Sequence, residues 1–270
     1  MTRRIVSISP FFNETHILEL RIGILEGLVD RFYTIEADKT FTNQDKPMLA
    51  RTVVHPKHTV VEIEMPQDVD SWGRDYNWGR DYYQRDYKVD LSEYDDDDIV
   101  LITDVDEVPR PEKLEFLRDN FDPEFSYGFE MMIYQYWLNN QNVGEGLIDR
   151  ARAYSVARYR DPNFHPSITR FYQNADINIP NGGWHWTYIG DQEFIRNKIE
   201  SFAHSEFNND EVKNLIQSRI DSNVDTLGRP FELVLTDINS DILYPKYLRD
   251  NVEKYRKYIK ELPDAFDTQL

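Results

Sequence analysis

Apolar runs separated by polar turns divide the first hundred residues into strands and helices. Residues 4–9 are predicted to form a buried strand that stops at Pro10, and residues 14–28 carry leucines and isoleucines at helical spacing. Two more apolar runs, at residues 31–38 and 59–65, predict further strands. Strand, helix and strand within the first forty residues are typical of an α/β fold with a largely parallel sheet.

The segment 71–91, SWGRDYNWGRDYYQRDYKVDL, contains the triplet RDY three times. On a helix, five of its apolar side chains form one stripe: Trp72, Tyr76, Tyr83, Tyr87 and Leu91. This pattern predicts an amphipathic helix that packs its aromatic rings on the sheet. Most of its arginines are expected in solvent, with one able to reach an anionic ligand.

The second half of the chain alternates aromatic, strand-like segments with helical ones. Residues 127–139 and 151–159 predict strands, and the Gly- and Trp-rich segment 179–190 predicts a loop or a short strand. The helical pattern recurs in four segments: residues 109–121, 192–203, 210–220 and 244–259. No flexible linker divides the chain, so a single domain over residues 1–270 is expected.

Composition narrows the class of protein. Hydrophobic residues make up 40% of the 270 residues and aromatic residues 14%, which supports a packed core. A formal charge of −18 argues against nucleic acid as a partner, and the absence of cysteine excludes disulfides and thiolate chemistry. No apolar run approaches the roughly 18 residues of a membrane span, and no signal peptide is visible. A cytoplasmic protein without a membrane span is expected.

Three carboxylates, Asp104, Asp106 and Glu107, follow the short apolar run at residues 99–102. Like charges this close repel one another and resist desolvation, so a positive partner is expected beside them. Asp104 and Asp106 can project from one extended turn, and their oxygens suit Mg²⁺ or Mn²⁺. In a parallel sheet, ligands bind at the carboxyl ends of strands, where this motif lies. The alternative is a solvated acidic turn.

Two other segments offer residues for a ligand. Glu36 and Asp38 end the second predicted strand, where carboxylates can bind a ribose or base, or form a plain turn. In GGWHWTY, Trp184 offers a flat ring for a sugar or base, and His185 is a candidate third metal ligand. A buried histidine among core tryptophans is the alternative. His204 is a second candidate, with a helix-end histidine as its alternative.

Taken in order, short motifs along most of the chain resemble glycosyltransferase family 17. The motifs are PFFNE (residues 10–14) with LELR (18–21), EADKTFT (36–42), YQR (83–85) before DVDEVP (104–109), GWH (183–185) and YPKYL (244–248). The resemblance implies a GT-A-type fold, a Rossmann-like α/β domain that binds a nucleotide sugar. Its nucleotide-binding half would cover about residues 1–110 and its acceptor-side half about residues 111–270.

The resemblance also implies an activity: metal-dependent, inverting transfer of N-acetylglucosamine from UDP-GlcNAc to a glycan acceptor, giving a β linkage. The enzyme would be similar to β-1,4-N-acetylglucosaminyltransferases. Asp104 and Asp106 would hold Mn²⁺ or Mg²⁺ under the donor diphosphate, with His185 as a later metal or diphosphate contact. The cation would neutralise charge on the leaving UDP.

Other donor contacts follow from the same resemblance. Glu36, with Asp38 beside it, would contact the uridine or ribose, and Lys39 or Arg85 would offset phosphate charge. The sequence EAD replaces the family's usual Glu-Ser-Asn at this position. Animal members carry cysteines and a membrane anchor, and the lack of both suits a bacterial or large-virus member.

Inversion in one displacement needs a base for the acceptor hydroxyl. Glu193 aligns with a family carboxylate and is the predicted base, while Asp191 and Glu107 remain possible. The alternative for Glu193 is a carboxylate favoured by the dipole at a helix start.

Two other functions fit parts of the pattern. A nucleotidyltransferase also pairs a metal with two carboxylates on an α/β sheet, and would turn over a nucleoside triphosphate without an acceptor sugar. A non-catalytic carbohydrate-binding protein could use the Trp-rich segment and an acidic cation site. The P-loop, GxGxxG, GxSxG and HExxH motifs are absent.

Overall fold

The computed structural model describes residues 2–69, 76–145 and 147–262. In chain order its strands are β1 (Ile5–Phe11), β2 (Arg31–Ala37), β3 (His58–Ile63), β4 (Ile99–Ile102), β5 (Glu107–Pro109), β6 (Tyr127–Gln135), β7 (Asn140–Asn142), β8 (Ile148–Ser155), β9 (Ile177–Thr187) and β10 (Leu233–Leu235). Its helices are α1 (Thr15–Leu25), α2 (Tyr76–Asp86), α3 (Pro111–Asn120), α4 (Val156–Arg160), α5 (Pro166–Tyr172), α6 (Gln192–Ser201), α7 (Asp210–Asn214), α8 (Ile216–Asp221) and α9 (Lys246–Asp250). Short 3₁₀ turns lie at Ala50–Thr52, Ser205–Phe207 and Arg256–Tyr258.

The strands form one mixed sheet, and its parallel part confirms the α/β prediction. Strands β3, β2, β1 and β4 lie side by side in parallel. Strand β8 joins β4 in the antiparallel direction, and β6, β7 and β10 continue that pattern outward. Strand β9 pairs in parallel with β6 and antiparallel with β5. Strands from both sides of residue 110 therefore share the sheet.

Strand β1 is apolar at nearly every position because the sheet is covered on both faces. Ile5 packs into one core with helices α1, α3 and α9, while Val6 and Ile8 pack into a second core with α4. A strand buried on both faces reads as a continuous apolar run. Polar side chains can therefore collect only where these strands end, and the functional site lies there.

In the part of the chain that is described, no helix combines the length and apolarity needed to cross a membrane.

The predicted aromatic stripe of the 71–91 helix is wrong for Tyr83 and Tyr87, whereas Leu91 is buried in the core but lies beyond the end of the helix. Helix α2 ends at Asp86, and Tyr83 and Tyr87 are 37% and 36% exposed. The buried face is polar instead: the side-chain amide of Gln84 donates to the carbonyl oxygens of Phe11 (3.1 Å) and Ile35 (2.6 Å). These carbonyls at the ends of β1 and β2 need a donor, which an aromatic ring cannot supply. Trp72 lies outside the described residues.

Several predicted boundaries differ for local reasons. Strand β8 ends at Ser155, whose hydroxyl accepts from the Arg158 backbone N–H and caps α4, so residues 156–159 are helical. The segment 179–190 is no loop, since most of it belongs to the eleven-residue strand β9. Strand β6 ends before Tyr136, which has φ of 67°. The predicted helix 210–220 is two short helices, and the predicted helix 244–259 is only α9 followed by turns.

Candidate active site

A cavity of about 280 Å³ opens beyond the carboxyl ends of β1 and β4. Its floor is charged, with side chains from the turn after β4, from α2 and α5, from strand β9 and from α6. One wall is aromatic. This is the edge of the parallel strands at which the sequence predicted a ligand site.

The turn between β4 and β5 is held by its own side chains and by β9. The Asp104 backbone N–H donates to the carboxylate of Glu107 (2.9 Å), and the Glu107 N–H donates back to the Asp104 carbonyl (3.0 Å). The N–H of Trp186 donates to the Asp106 carbonyl (2.8 Å), so β9 closes the turn from the other side. Strand pairing also places His185 opposite Glu107.

Asp104 is bound by two arginines. Both Nη atoms of Arg85 donate to its carboxylate, and Nη2 of Arg170 donates to Oδ2 at 2.7 Å. Each guanidinium also donates to a second carboxylate. Arg85 Nε donates to Asp81 (2.9 Å), and the Nη atoms of Arg170 donate to Glu107 (2.7 and 2.9 Å). Burial disfavours the charged form of Asp104, but the two guanidiniums outweigh it and hold its pKa below the usual range.

Asp106 meets a different set of cations. Lys198 Nζ lies 3.0 Å from Asp106 Oδ2 and 2.9 Å from Glu14 Oε1, and His185 Nε2 lies 3.6 Å from Asp106 Oδ1. Burial opposes ionisation of Asp106, yet Lys198 and His185 hold its pKa far below the usual range. Burial also disfavours the charged form of His185 and so lowers its pKa, but the Asp106 carboxylate raises that pKa by more. The Nδ1 atom of His185 is buried without a hydrogen-bond partner among the described residues.

The positive charge expected beside the acidic turn is therefore present in the protein itself. Behind the turn, Arg21 is 1% exposed and donates to the Glu107 carbonyl (2.5 Å) and to Ser7 Oγ (2.8 Å). Across residues 2–69, 76–145 and 147–262, no three carboxylate or imidazole side chains gather as ligands for one ion. The predicted trio of Asp104, Asp106 and His185 does not gather as one ligand set in the structure: guanidiniums contact both oxygens of Asp104, whereas Asp106 and His185 approach each other at 3.6 Å.

The aromatic wall is formed by Phe41, Trp78, Phe171, Phe202 and His204. The ring of Trp78 meets Phe171 edge-on at a centroid distance of 5.6 Å and His204 at 4.7 Å. His204 Nδ1 also lies 2.7 Å from Glu206, so this histidine belongs to the wall, and it joins no cluster of three or more carboxylate or imidazole side chains among the described residues. A wall of this kind offers flat faces to a nucleobase or a sugar ring.

The predicted uridine contact of Glu36 is not supported, because its carboxylate is fully buried and already satisfied. It accepts from Lys46 Nζ (2.6 Å) and from the backbone N–H groups of Leu49 and Ala50 (2.8 Å each). Glu36 therefore fixes the loop that follows β2. Asp38 accepts from the Met65 N–H and is not among the cavity residues.

Lys39 and Arg85 both line the cavity, as a donor contact requires. Lys39 forms an ion pair with Asp45 at the rim. Trp184 is corrected: it is 1% exposed, stacks on Trp186 at 5.4 Å and donates its indole N–H to the Leu243 carbonyl (2.6 Å). A ring enclosed in this way supports the core and cannot receive a ligand.

Glu193 is exposed on the first turn of α6 and is not among the residues that line the cavity. Lys198 of the same helix does reach the cavity, and five residues of helix separate the two by about 140° around the axis. Asp191 caps α6 by accepting from the Phe194 N–H, and Glu107 is buried under Arg170. Among the described residues, the carboxylates that line the cavity are Glu14, Asp81, Asp104 and Asp106.

The cavity residues that sequence reasoning missed include Glu14, Trp78, Arg170 and Lys198. Only Glu14 carried a usable signal, since it ends the motif PFFNE directly after a strand. Arg170 and Lys198 lie on polar helices with ordinary patterns, so their role follows from the tertiary packing of α5 and α6 alone.

The chain matches a class of sugar-transferring proteins in its sequence: the sequence model of glycosyltransferase family 17 matches residues 1–229, and the chain belongs to that family. It is similar to curated proteins named beta-1,4-mannosyl-glycoprotein 4-beta-N-acetylglucosaminyltransferase. Identity is 23% to that of Rattus norvegicus over 97% of this chain and 55% of the relative. Identity to that of Homo sapiens is 22%, over 97% of this chain and 56% of the relative.

The chain thus spans about half the length of these relatives. Among solved structures, the glycosyltransferase GlyE of Streptococcus pneumoniae TIGR4 aligns with 58% of this chain and 35% of its own, at 13% identity and a TM-score of 0.25.

Proposed function

We propose that the protein transfers a sugar from a nucleotide donor to a glycan acceptor, on a fold of the GT-A type. The observation that carries the proposal is the cavity at the carboxyl ends of β1 and β4, with its charged floor and aromatic wall. A charged floor suits a diphosphate, and aromatic faces suit a base and a sugar ring. Family membership and the printed names of the relatives favour UDP-N-acetylglucosamine as the donor.

Charge balance in the floor favours a divalent cation as an additional partner. In the floor and directly behind it, five carboxylates lie beside four cations, with His185 as a titratable fifth positive group. The carboxylates are Glu14, Asp81, Asp104, Asp106 and Glu107, and the cations are Arg21, Arg85, Arg170 and Lys198. A diphosphate would add negative charge to a floor that is already balanced. Mg²⁺ or Mn²⁺ commonly takes one or two protein ligands and completes its shell with water and phosphate oxygens. Asp106 and His185 are the pair that would hold it, with His185 in its neutral form and Lys198 retained by Glu14 alone.

Bound there, the cation would supply electrostatic stabilisation to the leaving diphosphate. The remaining steps belong to side chains of the chain itself. The aromatic wall orients the rings, and the cations of the floor hold the donor's phosphates. For inverting transfer, which gives a β linkage from an α-linked donor, we assign the base to Glu14. It lines the cavity and is bound by one cation, Lys198, whereas Asp81 and Asp104 are occupied by arginines.

The test is a transfer assay with UDP-N-acetylglucosamine and mannose-terminated glycans, reading both UDP release and product linkage, with Mn²⁺ and with EDTA. A product with an added β-linked sugar is expected. Turnover of UTP without an acceptor would favour the nucleotidyltransferase alternative. Glycan binding that UDP does not alter, with no turnover of any donor, would favour the carbohydrate-binding alternative.

A further inference from the structure

The two aspartates of the acidic turn have separate partners. Asp104 lies between the guanidiniums of Arg85 and Arg170, whereas Asp106 faces a lysine and a histidine. The sequence suggested that both aspartates of the motif bind one cation. In the structure, Asp104 and Asp106 belong to two adjacent sites instead. Arg85 and Arg170 are called the arginine pair below.

We propose that Asp104 is a positioning residue for the arginine pair, and that Arg85 and Arg170 bind the diphosphate of the donor directly. The inference rests on the proposed function, because the anion it names is that of a nucleotide sugar. It assigns Asp104 no cation of its own and leaves the metal-binding role to Asp106 and His185.

Hydrogen-bond accounting leaves the arginine pair with donors for an anion. Each guanidinium has five N–H groups. Arg85 directs Nε to Asp81 and its two Nη atoms to Asp104, which leaves one N–H on each Nη. Arg170 uses three N–H groups on Asp104 and Glu107, and its Nε is buried without a described partner. Both side chains line the cavity, so a diphosphate bound there would lie beside the arginine pair.

Charge explains why Asp104 is required. Two guanidiniums held at one point repel each other, and a shared carboxylate between them offsets that repulsion. Asp81 binds Arg85, and Glu107 binds Arg170. Negative and positive side chains therefore alternate along the row Asp81, Arg85, Asp104, Arg170 and Glu107. A divalent cation on Asp104 would lie against both guanidiniums, which makes that position unfavourable for a metal.

Binding of UDP, measured by calorimetry in EDTA and again in Mn²⁺, tests the arginine pair. We expect Arg85→Gln and Arg170→Gln each to weaken UDP binding by about tenfold or more in both buffers, because each removes a charge-assisted contact. Arg51→Gln, which changes an exposed arginine outside the cavity, is the matched control and should bind UDP as wild type does.

Affinities of the two arginine variants equal to wild type would overturn the inference while leaving the proposed function intact. Wild-type protein that binds UDP in neither buffer would overturn the proposed function itself.

The positioning role of Asp104 is tested by the ratio of UDP affinity with Mn²⁺ to that in EDTA. We expect Asp104→Asn to weaken UDP binding in both buffers and to keep the wild-type ratio. Asp106→Asn should bring the ratio close to one. A ratio near one in Asp104→Asn would make Asp104 a metal ligand and overturn its positioning role. If wild type itself shows no gain with Mn²⁺, Asp104 has no cation to bind and the positioning role stands.

Loss of the carboxylate charge at Asp104 leaves the arginine pair with excess positive charge, so a second variant separates an effect on UDP binding from misfolding. Asp104→Asn combined with Arg170→Gln removes one charge of each sign from the cluster. This double variant should unfold at a temperature close to that of wild type, bind UDP weakly and still keep the Mn²⁺ ratio. A double variant that folds but has lost the ratio would contradict the inference.

Discussion

Lys198 Nζ lies 2.9 Å from Glu14 and 3.0 Å from Asp106, so one ammonium is shared by two cavity carboxylates. At the scale of residues, the role of each carboxylate depends on the cation it meets. Asp104 is neutralised by arginines, Asp106 by Lys198 and His185, and Glu14 only by the shared lysine. Glu14 is therefore the cavity carboxylate best placed to accept a proton.

Glu14→Gln should lower kcat by about 10²- to 10⁴-fold, the usual contribution of a general base, with UDP affinity little changed. Glu193→Gln is the matched control, because this exposed carboxylate is not among the cavity residues and its loss should leave turnover close to wild type. Steady-state kinetics of both variants decide whether Glu14 or Glu193 is the base. An inactive Glu193→Gln beside an active Glu14→Gln would return the base to the position the sequence predicted.

His185 should give the protein a measurable pH dependence of stability in EDTA. Burial lowers its pKa and Asp106 raises it by more, so the folded pKa exceeds the ordinary value of 6.5. The pair therefore contributes fully below about pH 6.5, and the contribution is lost as pH rises through the folded pKa. As the pH rises above about 6.5, the free energy of unfolding of wild type should fall relative to that of His185→Gln. Identical profiles for the two proteins would contradict this assignment.

At the scale of elements, helix α2 is fixed to the sheet by a polar contact. Tyr83, a member of the predicted aromatic stripe, is 37% exposed. The Gln84 side chain instead bridges the ends of β1 and β2, and this contact places its neighbour Arg85 in the cavity. Helical periodicity identified the helix correctly but not its buried face. The reason is that the carbonyls at the strand ends select a hydrogen-bond donor over an apolar ring.

Gln84→Ala should lower the free energy of unfolding by about 1–3 kcal/mol, because two buried carbonyls lose their donor. Tyr83→Ala, on the exposed side of the same helix, should change it by no more than about 0.5 kcal/mol. Urea unfolding followed by fluorescence measures both. A larger loss in Tyr83→Ala than in Gln84→Ala would mean that the aromatic stripe, not the amide, packs on the sheet.

At the scale of the whole molecule, the last described residues complete the core of the first strands. The family match covers residues 1–229, yet Tyr244, Leu248 and Tyr255 are at most 2% exposed and pack into the core with α1 and β1. Contacts of this kind between the two ends of a chain are invisible to local patterns.

A fragment ending at residue 229 should therefore fail to fold cooperatively. Each of the three buried side chains is worth about 1.5–3 kcal/mol, and their sum is a large share of the roughly 5–15 kcal/mol of a typical domain. Near-ultraviolet circular dichroism and thermal unfolding of the fragment, compared with the full chain, provide the measurement. A sharp thermal transition in the fragment would show that residues after 229 are dispensable for the fold.

The sequence alone determined the elements whose signals are local. The apolar runs of β1, β2 and β4 and the acidic turn after β4 were predicted, since a strand buried on both faces is mostly apolar and charged residues follow where the burial ends. Motif order likewise indicated the family, because five short motifs keep their sequence order.

Only the tertiary structure decided which partner each charged residue meets. Arg170 and Lys198 lie 66 and 92 residues from the aspartates they bind, and no pattern within a helix carries that information. Glu36, Trp184 and Glu193 fit the family motifs, yet burial encloses the first two and helix geometry turns the third away from the cavity. Electrostatic pairing depends on distance in space, and distance in space is set by how the sheet and helices pack.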